Sequence, residues 1–79
     1  MPDGERAQAE RIPLTSSVVA AVAYDATSRD LDVEFVGGAL YRYRGVPREE
    51  VDGLLNAGSP GRYLNTRIIP RYTCVWLRG

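Results

Sequence analysis

The stretch Gly37-Gly38-Ala39-Leu40-Tyr41-Arg42-Tyr43-Arg44-Gly45 constrains this chain more than any other. Paired glycines suit a tight turn, and the residues after them alternate between aromatic and cationic. Successive side chains of a strand point to opposite faces of a sheet, so Tyr41 and Tyr43 share one face and Arg42 and Arg44 the other. The segment before the turn alternates as well, with Leu31, Val33 and Phe35 on one side and Asp32 and Glu34 on the other. Together they read as an antiparallel hairpin with one apolar and one charged face.

The length of the turn sets the register. A two-residue Gly37-Gly38 turn would place Arg42 on the face of Val33 and Phe35. A three-residue loop, Gly37-Gly38-Ala39, opposes Phe35 to Tyr41 and Val33 to Tyr43, and pairs Glu34 with Arg42 and Asp32 with Arg44. A slip of one residue swaps every side chain between faces, so burial and cross-strand charge both select the longer loop. Upstream, Val18 to Tyr24 is an apolar run of strand length, closed by turn residues from Asp25 to Asp30. Tyr24 opposite Leu31 places Val22 beside Val33 and Ala20 beside Phe35. The predicted core face is then Ala20, Val22, Tyr24, Leu31, Val33, Phe35, Tyr41 and Tyr43. The reverse face of this first strand, Val19, Ala21 and Ala23, is also apolar, which predicts cover from the C-terminal segment or from a second subunit.

Gly45-Val46-Pro47 ends the hairpin and opens a helix whose stripe is Val51, Leu54 and Leu55, with Glu49, Glu50 and Asp52 near its N-terminus. Gly53 inside that helix costs about 1 kcal/mol relative to alanine and predicts a close helix–sheet approach there. Ser59-Pro60 reads as a cap and first-turn proline for a second short helix reaching about Asn65. The β-rich Tyr72 to Leu77 forms either a fourth strand or a cover on the sheet's reverse face. The fold expected is α+β: an antiparallel three-stranded meander, or four strands with the C-terminal one, packed on one helix plus a short second helix. Residues 1–14 read as a flexible N-terminal arm and 15–79 as a single domain.

The ordered residues Ser16-Ser17, Ala23-Tyr24-Asp25, Leu31 to Phe35, Tyr41-Arg42-Tyr43, Gly45-Val46-Pro47 and Gly61-Arg62-Tyr63-Leu64-Asn65 resemble the KTSC domain. That domain is named for the C-terminal extension of some lysyl-tRNA synthetases and also occurs as a stand-alone bacterial or phage protein. The resemblance runs from about Thr15 to Tyr72, with the family's Tyr-x-Tyr on Tyr41 and Tyr43. It implies a domain of unestablished function for which RNA binding is suggested by the synthetase connection. The chain departs from the pattern after Ile68, where Ile69-Pro70 stand in place of a basic residue and a glycine.

The chemistry-bearing residues are few. The 79 residues include no histidine, no lysine and one cysteine. Serine or cysteine nucleophiles therefore lack their usual base, and the mixed imidazole–thiolate set of a zinc site is missing. Glu49 and Glu50 are adjacent on a helix and point apart. Neither catalytic residues, nor metal, nor cofactor is expected, and Cys74 reads as a small buried hydrophobe. The acidic start offers no apolar signal-peptide core, and no apolar run approaches the roughly 20 residues of a membrane helix. A cytoplasmic protein is expected.

Charge is distributed unevenly. Met1 to Asp52 holds six arginines against ten acids, a balance of −4, whereas Gly53 to Gly79 holds four arginines and no acid. Either the halves neutralise each other in the fold or the second half presents an anion-binding surface. The candidate surface is Arg62, Tyr63, Asn65, Arg67, Arg71 and Tyr72, which suits phosphate contact and stacking. Tyr41 and Tyr43, sharing a face with Val33 and Phe35, read as structural. The leading expectation is a non-catalytic module that binds RNA or another polyanion weakly. The alternative is a protein-interaction or self-association module, motivated by the doubly apolar first strand and the Trp76 tail.

Overall fold

The computed structural model describes residues 10–79. Five strands form one sheet: β1 (Arg11–Pro13), β2 (Val19–Asp25), β3 (Asp30–Phe35), β4 (Leu40–Tyr43) and β5 (Cys74–Arg78). They lie in the order β1-β2-β3-β4-β5, each antiparallel to its neighbour. Between β4 and β5 the chain crosses one face of the sheet as helix α1 (Arg48–Leu55) and helix α2 (Pro60–Tyr63), which continues into a π-helical stretch, Leu64–Ile68. The α+β class stands as expected, with five strands where three or four were counted. Both extra strands are edges. Arg11–Pro13, expected within a flexible arm, pairs with β2. The first nine residues of that arm lie outside the described residues. The C-terminal segment is the other edge and covers neither face.

The β3–β4 hairpin keeps the expected faces and changes the expected partners. Val33 opposes Tyr41 and Leu31 opposes Tyr43, because the three loop residues are Val36-Gly37-Gly38. The Phe35 N–H donates to the Ala39 carbonyl at 2.8 Å, and the Gly38 N–H returns to the Phe35 carbonyl at 3.0 Å. Gly37 and Gly38 both have φ of 109°, a backbone glycine adopts without strain, and Gly38 rather than Ala39 takes the last loop position. The ladder therefore moves by two residues, which leaves the sidedness intact.

The β2–β3 ladder pairs Tyr24 with Leu31 and Val22 with Val33 as expected, but an irregularity between Val19 and Ala21 puts Val19, not Ala20, opposite Phe35. A bulge of this kind lets Val19 and Val22 both enter the core. Buried Val19, Val22, Leu31, Val33 and Tyr43 from the sheet meet Val46, Val51, Leu54, Leu64 and Ile68 from the helical layer. Tyr41 is half-buried and packs edge-on against Phe35 at 5.9 Å between ring centres. The tyrosines of the hairpin thus point inward.

The reverse face is covered by arginine side chains rather than by a second layer. Arg11 of β1 and Arg78 of β5 reach across their neighbours to Glu34 of β3, at 2.9 and 3.8 Å. Arg42 makes a two-pronged contact with Asp32 at 2.7 and 3.0 Å, and Arg44 pairs with Asp30 at 3.1 Å. These are the expected cross-strand ion pairs moved one pair along the ladder. Ala21, on the reverse side of β2, is fully buried.

Candidate nucleic-acid interface

Of the six residues singled out from sequence, Arg62, Asn65, Arg67 and Arg71 are exposed, whereas Tyr63 and Tyr72 are half-buried. Ser59 caps α2, its hydroxyl accepting from the Arg62 N–H at 3.3 Å, and Pro60 occupies the first turn. The helix then widens, with the Ile69 N–H donating to the Leu64 carbonyl at 2.8 Å, a step of five residues. π turns of this kind recur at functional sites. Here the widening keeps Leu64 and Ile68 in the core while Arg67 leans over the Tyr63 ring, 5.5 Å from its centre.

Tyr63, Arg67 and Arg71 converge on Glu50 of α1. The Tyr63 hydroxyl donates to Glu50 Oε1 at 3.2 Å. Arg67 Nη2 lies 3.7 Å from the same oxygen, and Arg71 Nη1 lies 3.9 Å from Oε2. The Glu50 side chain is only 9% exposed, whereas Arg67 and Arg71 are 49% and 57% exposed. Oε2 has no hydrogen-bond partner among the described residues, and the two guanidiniums stand nearest to it in charge. Two positive groups share one carboxylate, which leaves a net positive charge and free donors facing outward.

Gly53 makes this arrangement possible. A Cβ there would collide with the Tyr63 hydroxyl and stand 2.8 Å from its ring carbon Cζ. The close approach expected at Gly53 is therefore to the phenol of α2, not to the sheet. Burial pushes the Tyr63 phenol pKa up, and the neighbouring Glu50 carboxylate acts in the same direction against Arg67. Tyr63 is consequently a wedge under Arg67 and not a free stacking platform. Tyr72 packs partly buried against the core. Arg62 and Asn65 are exposed, and Arg62 has no ion-pair partner among the described residues.

Sequence reasoning missed Glu50, the residue that gathers the cluster. Its signal was present: Glu50 stands four residues before Leu54 and beside Val51, on the stripe that faces inward. Cys74, expected in the core, is exposed on β5 because that strand is a sheet edge. No helix of the described residues is long and apolar enough to cross a membrane.

The chain is 43% identical over 67 residues to an uncharacterized protein of Stutzerimonas stutzeri, covering 85% of this chain and 94% of that one. It is likewise 43% identical over 65 residues to a protein of Tsukamurella paurometabola, covering 82% and 97%. The crystal structure of a KTSC domain protein from Yersinia pestis superposes with a TM-score of 0.83 at 29% identity, covering 86% of this chain and 96% of that one. The sequence profile of the KTSC domain matches residues 15–72, which span β2 through the end of the helical layer. With the profile covering most of the chain and the fold matching a solved member, the chain belongs to the KTSC domain family.

Proposed function

We propose that this protein is a non-catalytic module that binds RNA or another polyanion through the exposed guanidiniums of Arg67 and Arg71, with Arg62 and Asn65 extending the surface. The observation that carries this reading is the shared buried carboxylate. Arg67, in the π-helical stretch, and Arg71, in the turn after it, are like charges brought to one carboxylate, and Glu50 offsets their repulsion and orients both. An anion arriving at Arg67 and Arg71 thus meets donors whose ordering cost is already reduced.

Arginine suits this role because its planar fork reaches a phosphate with two parallel donors. Sequence discrimination is not expected, since nothing on this surface is built to read base edges. Fluorescence anisotropy with a labelled single-stranded RNA and a tRNA-like stem–loop tests the proposal. The expected affinity at physiological salt is in the range of sequence-independent binding, about 10⁻⁴ to 10⁻⁶ M, and tightens as salt is lowered. Amide chemical shifts should move in the 62–72 segment. Absence of any interaction at low salt, or shifts confined to another face, would reject it.

A further inference from the structure

We propose that β5 is a self-association edge, on which a second copy of this chain adds its own β5 antiparallel about a two-fold axis at Val75. The inference is independent of the anion surface, which lies on the helical layer.

The two edges of the sheet differ in kind. β1 is three residues long, ends in Pro13 and carries Arg11. Short length, proline and charge are the devices by which natural sheets block edge-to-edge pairing. β5 has none of these between Cys74 and Leu77. All five of its residues are exposed, with Trp76 at 58% and Val75 at 42%.

The ladder identifies which backbone groups of β5 are free. The Arg44 N–H donates to the Thr73 carbonyl at 2.8 Å, which marks that pair as hydrogen-bonded. Antiparallel pairs alternate, so Arg42 and Val75 form the next bonded pair, while Cys74 and Trp76 direct both N–H and C=O away from β4. A second β5 can use all four of these groups in one register only, with Trp76 opposite Cys74 of the other copy and Val75 opposite its own counterpart. Beyond Trp76 the outward pattern ends at the register shift before Arg78.

Side chains agree with that register. On the helical side, each indole would lie between Tyr41 of its own chain and the small Cys74 of the other. On the reverse side the two Val75 side chains meet as a close non-hydrogen-bonded pair. No charged residue stands in the paired segment, so nothing repels, and the contact is isologous and closes at two copies. The paired segment Cys74 to Trp76 gives an interface about 10 Å long. That is well under the roughly 800 Å² per partner of a stable complex, so the dimer should be weak and visible only at high concentration.

Sedimentation velocity and amide hydrogen exchange on the full chain, from about 10 μM to 1 mM, test the proposal. The expected result is a monomer–dimer equilibrium, with at least tenfold slowing of exchange at the Cys74 and Trp76 amides over that range and none at Val75, already bonded to β4. Cys74→Pro removes only an outward donor, so it should abolish the dimer while circular dichroism stays native. Trp76→Lys gives a second reading should the proline variant unfold, and should also yield a monomer. A strict monomer at about 1 mM, or a dimer that persists in the folded variants, would overturn the assignment.

Discussion

Replacing Gly53 by alanine should destabilise this protein even though it improves the helix. In an unobstructed helix the substitution is worth about 1 kcal/mol in favour of folding. Here the new Cβ would stand 2.8 Å from Cζ of Tyr63 and closer still to its hydroxyl, so the ring must swing away. Swinging away forfeits the bond to Glu50, and a hydrogen bond to a charged group contributes about 1.5–3 kcal/mol. It also removes the ring from beneath Arg67, a further loss of about 0.5–1 kcal/mol. Loss exceeds gain, for a net cost of about 1–3 kcal/mol. The decisive test is the sign change in a second background. Once Tyr63→Ala removes the obstruction, the same glycine substitution should stabilise by about 1 kcal/mol. Urea unfolding followed by far-UV circular dichroism measures both. A gain of similar size in the two backgrounds would refute the claim that the phenol lies across this glycine.

Other consequences follow from the sheet and the tyrosines. Glu34→Gln removes the partner of both Arg11 and Arg78. Because both arginines are largely exposed, the global cost should be no more than about 1 kcal/mol, while hydrogen exchange should accelerate selectively in β1 and β5. Tyr24, Tyr43 and Tyr63 all have phenol pKa values raised above the ordinary 10.0, with burial the largest cause in each. The folded state therefore holds protons that the unfolded chain releases, so stability is undiminished below about pH 10 and falls as pH rises through the folded values. Thermal unfolding between pH 8 and 12, read beside phenolate absorbance, should show that decline; a flat profile would contradict it. Leu54→Ala, at a fully buried position between sheet and helix, should cost about 2–5 kcal/mol by urea unfolding.

How much of this was legible in the chain depends on what period-two alternation can encode. It fixes faces, so the inward direction of Leu31, Val33 and Tyr43 could be read directly. It says nothing about a slip of two residues, which preserves every face, and so the partners of Asp32 and Glu34 could not be read. Both candidate loops contain Gly37 and Gly38; they differ in the last loop position, which falls to Gly38 at positive φ in the loop that forms and would fall to Ala39 in the other. The bulge at Val19 is hidden for a related reason, since Val19, Ala20 and Ala21 are all apolar and any of them could face inward. β1 is too short and too interrupted by proline to carry a pattern at all. In the helical layer the basic composition pointed to Arg67 and Arg71, but their organiser is an acid on another element. A charged residue on an apolar stripe reads as an interruption until its partners are in place.

Salt dependence of RNA binding compares most directly the intact chain with the Arg67→Gln/Arg71→Gln variant. Each phosphate contact on a single strand contributes about 0.7 to the slope of log affinity against log salt. Losing both guanidiniums should flatten the slope by about 1.4 and weaken binding at every salt concentration. An unchanged slope in a variant that is still folded would show that these two arginines do not meet the anion.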